Sequence, residues 1–118
     1  MAAKHTLDTI GHACTRVAMS TDGLALVSVS GEVDISTAPR VLAAANDALR
    51  QGARAVFIDL ARVTFFGAAG ATALLAVRRQ CWQRAVTFAL LRPSRPALRV
   101  LDFTDLIRPV LDLRDLVT

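Results

Sequence analysis

The period of apolar and polar positions changes several times along the chain, and each change marks an element. Ala13 to Met19 carries apolar residues at the spacing of an edge strand. Thr21-Asp22-Gly23 is a turn signal, and Leu24-Ala25-Leu26-Val27-Ser28-Val29-Ser30 then alternates as a half-buried strand, so a hairpin through Asp22-Gly23 is predicted. Gly31-Glu32-Val33-Asp34-Ile35 reads as a connection. Ser36 or Thr37 then caps a helix that has Pro39 in its first turn, keeps Val41, Leu42, Ala45, Ala48 and Leu49 on one face, and ends at Gly52. Ala55-Val56-Phe57-Ile58-Asp59-Leu60 is a short continuous run, as expected of a strand covered on both faces. After Val63-Thr64-Phe65-Phe66 and Gly67-Ala68-Ala69-Gly70 comes an alanine- and leucine-rich helix to about Trp82. Val86 to Leu91 is another buried strand. Ser94 caps a helix with Pro96 in its first turn and Leu98 and Leu101 inward, and Asp105 to Asp112 closes with a short turn and strand.

The order is β-β-α-β-α-β-α-β. A hairpin feeding strand–helix–strand units predicts one α/β domain: a mixed, mostly parallel sheet of about 4–5 strands with helices packed on it. Residues 1–12 show little pattern and are read as a disordered N-terminal segment before a domain over 13–118.

Composition sharpens this. The apolar fraction is 53%, rich in Ala, Val and Leu, which suits buried strands and closely packed helices. Aromatics are 5% and Tyr is absent, which argues against a stacking platform for single-stranded nucleic acid. The net charge is +4, but the arginines are spread along the chain among acidic residues, so they read as a solvated surface and direct nucleic-acid binding is not expected. Cys14 and Cys81 form no CxxC pair, and both are expected as buried free thiols; no metal is implied. Met1-Ala2-Ala3-Lys4-His5-Thr6 leads into polar residues, and no apolar run is long enough for membrane insertion. A cytoplasmic location is expected.

No catalytic set holds together. His5 and His12 lie in the unpatterned N-terminal segment, where neither is held rigidly beside a nucleophile. The acidic residues show no paired spacing, and neither a GxGxxG nor a GxxxxGK[ST] loop occurs. Gly67-Ala68-Ala69-Gly70 opens a helix, so it is either a tight structural turn or an anion site built from free N–H groups. No enzyme activity and no cofactor are expected.

Two segments resemble a known family. Gly31-Glu32-Val33-Asp34-Ile35-Ser36-Thr37-Ala38 is similar to the opening signature of STAS domains, the anti-sigma factor antagonist fold. Val56-Phe57-Ile58-Asp59-Leu60 followed by Val63-Thr64-Phe65-Phe66-Gly67-Ala68-Ala69-Gly70 resembles the second signature: valine-x-leucine-aspartate-leucine, then phenylalanine, then aspartate-serine-serine-glycine. The resemblance spans about residues 13–112 and matches the element order. It implies a bacterial partner-switching protein that binds an anti-sigma factor, often a histidine-kinase-like ATPase, until that kinase phosphorylates the first serine of the motif. A phosphate adds a charge of about −1.5 to −2 in the interface and ends the complex.

The sequence departs from the family where that switch operates. Ala68 occupies the phospho-acceptor position, Ala69 replaces the second serine, and Gly67 replaces the aspartate. Alanine has no oxygen to modify, so the resemblance implies binding without the phosphorylation switch. The docking face it implies comprises Glu32, Asp34, Ser36, Thr37, Thr64, Gly67, Ala68, Ala69, Gly70 and Thr72, with Thr64 or Thr72 as alternative acceptors. Asp34, Ser36 and Thr37 also have an ordinary reading as helix caps. Only Asp112 to Thr118 remains where many members carry a longer C-terminal helix, which leaves self-association as a homodimer open. The alternatives are a nucleotide-sensing STAS domain and an accessory subunit of a membrane transport assembly.

Overall fold

A computed structural model describes residues 4–10, 13–104 and 110–111. The elements are β1 (Lys4–Ile10), β2 (Ala13–Met19), β3 (Leu24–Val33), α1 (Ala38–Arg50), β4 (Ala55–Phe66), α2 (Ala68–Gln83), β5 (Thr87–Leu91), α3 (Arg95–Leu101) and β6 (Val110–Leu111). They form one sheet of six strands in the order β1-β2-β3-β4-β5-β6. The pairs β1–β2 and β2–β3 are antiparallel, and β3–β4, β4–β5 and β5–β6 are parallel. The expected mixed, mostly parallel α/β architecture is therefore present, with more strands than the pattern suggested.

The extra strand comes from the N-terminal segment. Lys4–Ile10 forms β1, each residue paired with one of β2 from Lys4 opposite Met19 to Ile10 opposite Ala13. Its order is supplied by backbone pairing to the open edge of β2, which no side-chain pattern advertises. The hairpin through Asp22-Gly23 is as expected, with Gly23 at φ +83. The strand expected between Asp105 and Asp112 is β6, while His12 and residues 112–118 lie outside the described residues.

The helices share one face of the sheet. Ala45 and Ala48 of α1, Leu74 and Val77 of α2, and Ala97 and Leu101 of α3 belong to one core with Val27, Val29, Val56, Ile58 and Leu60. The opposite face carries a smaller cluster of Ala55, Phe57, Ala89 and Leu91, with Leu26 packed against it. Burial of β4 on both faces follows the continuous apolar run. Cys81 is buried in the main core, whereas Cys14 is only half-buried, so the buried-thiol expectation holds for Cys81 alone.

β4 is longer than the pattern predicted, and β3 runs on to Val33 through what was read as a connection. Ser28 pairs with Asp59 but Ser30 with Arg62, and Gly31 pairs with Val63 but Glu32 with Phe65. Each step inserts an extra residue into β4, a β-bulge. The residues of β4 that face the main core are therefore Val56, Ile58, Leu60, Val63 and Phe66. The spacing lengthens from two to three after Leu60, which hides a single strand from any search for strict alternation. Gly31, opposite the second bulge, adopts φ +86, a conformation open to glycine.

Candidate functional site

The segments that carry the two motifs meet at the C-terminal ends of β3 and β4. Val33 pairs with Phe66, and the Gly67 N–H donates to the Val33 carbonyl at 2.9 Å. The strand-to-helix turns after β3 and β4 are thus neighbours at one end of the sheet, where ligand and partner sites of parallel sheets are commonly built.

The first turn is organised by Asp34. Its Oδ1 accepts from the Ser36 N–H at 2.9 Å, the Ser36 hydroxyl at 2.7 Å and the Thr37 N–H at 3.1 Å. The Thr37 hydroxyl donates to the Glu32 carbonyl at 2.7 Å and accepts from the Asp34 N–H at 2.9 Å. The Ala38 N–H reaches the Asp34 carbonyl at 2.8 Å. Thr37 occupies the N-cap of α1, yet at φ −103 and ψ −22 its hydroxyl makes no cap hydrogen bond. The expectation that Ser36 or Thr37 caps α1 is corrected: Asp34 closes the turn and the two hydroxyls serve it. The Ser36 hydroxyl and the Thr37 N–H, both donating to the Asp34 carboxylate, hold its pKa below the ordinary range. Ser94 does cap α3, accepting from the Ala97 N–H at 3.4 Å.

The second turn starts α2. Gly67 is its N-cap, without a side chain to accept from the first turn, and no acidic residue follows in that turn. Ala68, the first helical residue, is exposed. Gly70 is buried against the preceding strand ends. A Cβ there would lie 2.7 and 2.8 Å from Phe66 ring carbons and 3.0 Å from a Val33 methyl. The glycine that ends the motif is thus required by close approach of helix and sheet. Gly67 has no such constraint, since the nearest atom to an added Cβ is a Phe65 ring carbon at 3.4 Å.

Of the ten candidate residues, Ser36, Thr64, Ala68 and Thr72 are exposed, and Glu32, Asp34, Gly67 and Ala69 are partly exposed. Thr37 and Gly70 are buried, so they shape the surface without forming it. Thr72 donates its hydroxyl to the Ala68 carbonyl at 3.1 Å, the usual back-bond of a helical threonine. Two residues absent from the motif reading stand beside the turns: Ile35, 85% exposed, and Phe65, 50% exposed. An isoleucine inside an otherwise polar turn was the available signal for the first. Phe65 was masked because the bulge at Thr64 reverses the face on which it falls.

Among the described residues no group of His, Cys, Asp and Glu could hold a metal ion, and no helix is long and apolar enough to cross a membrane. The comparisons with known proteins agree with the fold and the motifs. The STAS domain model matches residues 16–115, and the chain belongs to that family. A solved anti-sigma factor antagonist from Mycobacterium paratuberculosis is 26% identical, with a TM-score of 0.67 over 94% of this chain and 85% of that one. The Bacillus cell fate determinant SpoIIAA in its phosphorylated form is 20% identical, with a TM-score of 0.65 over 98% of this chain and all of that one (100%). A putative anti-sigma factor antagonist from Thermotoga maritima is 22% identical, with a TM-score of 0.65 over 81% of this chain and 82% of that one. No curated protein matches.

Proposed function

We propose that this chain is a non-enzymatic binding module of the anti-sigma factor antagonist kind, which docks an anti-sigma factor or histidine-kinase-like ATPase in the cytoplasm without phosphorylation control. The observation that carries the reading is the state of the β4–α2 turn. Gly70 is seated on Phe66 and Val33 where α2 meets the sheet, and the exposed first position of α2 is Ala68. Family membership and the 26% identity to an anti-sigma factor antagonist support the general kind. In this reading Ile35 and Phe65 supply apolar contacts, and Glu32, Asp34, Ser36, Thr64, Gly67, Ala68, Ala69 and Thr72 complete the face. Buried Thr37 and Gly70 hold its shape.

Affinity capture with mass spectrometry, using the whole chain and the Gly67→Asp/Ala68→Ser variant, tests the reading. Capture of an anti-sigma factor or kinase-like ATPase by both is expected, with ATP-dependent release of the variant alone. Transfer of labelled phosphate to Thr64 or Thr72 of the unaltered chain would overturn the unswitched reading. Undiminished capture by Ile35→Asp/Phe65→Asp would remove the docking face.

A further inference from the structure

The sheet face turned away from the helices carries a cavity of about 480 Å³, and its lining includes Arg16, Arg62, Arg92, Ser28, Ser30 and Asp59. The first β-bulge builds it. Asp59 and Arg62 are three apart and would point to opposite faces of a regular strand; the extra residue between them turns both toward the same cavity. The bulge frees the Ala61 N–H from the ladder, and Asp59 Oδ1 accepts it at 2.9 Å. Asp59 Oδ2 accepts from Arg92, whose backbone is held at φ +47. Among the described lining residues the one carboxylate, Asp59, is thus engaged by Arg92 and by the backbone. Leu26 adds an apolar wall.

We propose that this cavity binds a small phosphate-bearing anion, with Arg62 as the main contact, Arg16 beside it, and the Ser28 and Ser30 hydroxyls donating to the remaining oxygens. Guanidinium forks suit phosphate and carboxylate alike. A phosphate presents three or more oxygens around one centre, and the Arg62 guanidinium with the Ser28 and Ser30 hydroxyls supplies donors for more than the two oxygens of one carboxylate, which favours the phosphate. The site stands apart from the β3–α1 and β4–α2 turns, so it is independent of the docking reading.

Calorimetric titration of the whole chain with sodium pyrophosphate, sodium malonate and sodium chloride at matched ionic strength tests it. Saturable binding of pyrophosphate and not of malonate is expected. Arg62→Ala should weaken it about tenfold or more, the loss of a charged hydrogen-bonding partner. Arg79→Ala, on exposed α2 outside the cavity, should leave it unchanged. No saturable pyrophosphate binding, equal binding of malonate, or full affinity in folded Arg62→Ala overturns the proposal.

Discussion

At Gly70 a single added methyl has nowhere to go. Phe66 is buried in the core and Val33 is fully buried, so neither can swing aside. Gly70→Ala is expected to cost about 1–3 kcal/mol by overpacking, read as a lower denaturant midpoint. Gly67→Asp should do the reverse. The position is an N-cap with room for a Cβ, and a capping carboxylate is worth about 0.5–2 kcal/mol at a helix start. Cys81 belongs to the same scale. Burial pushes its pKa from 9.0 up to about 11, so the folded chain keeps the proton longer than the unfolded one. Stability present below the unfolded pKa is lost as pH rises through the folded one. Native-state alkylation at neutral pH should spare Cys81 and modify it only on unfolding.

The elements explain why some of this was legible and some was not. α1 and α3 announced themselves through Pro at the first turn, a periodic apolar face and, for α3, the Ser94 cap, and each of these is a local property of the chain. β4 did so only as far as Leu60, because its two bulges then shift the inward positions from Leu60 to Val63 to Phe66. Asp59 supports the first bulge, so Asp59→Ala should cost about 0.5–1.5 kcal/mol by removing the hydrogen bonds to the Ala61 N–H and to Arg92, both exposed residues. The β3–α1 turn rests on Asp34. Its folded pKa is lowered, so the stability it contributes is present above the unfolded pKa and is lost as pH falls through the folded one. Asp34→Ala should abolish that acid dependence and lower the thermal midpoint, whereas Asp34→Asn should recover part of the midpoint, because its amide oxygen still accepts.

Across the whole molecule, Trp82 is the only tryptophan and Tyr is absent, yet Trp82 is 84% exposed on α2. Unfolding followed by circular dichroism should show one cooperative transition, while tryptophan emission, already that of a solvated indole, changes little across it. The apolar run of β4, the helix stripes and the two motif segments are written in the order of residues, because period and capping act over a few positions. Side-chain chemistry alone also determines that position 68 cannot accept a phosphate. Tertiary structure decided what depends on a partner strand or a distant neighbour. Lys4–Ile10 became a strand by pairing with the β2 edge, and Gly70 became indispensable because Phe66 and Val33 close over it. Bulges, set by register against β3, brought Asp59 and Arg62 to one cavity and left Phe65 exposed beside the second turn. Register and close approach arise between segments, so no local pattern carries them.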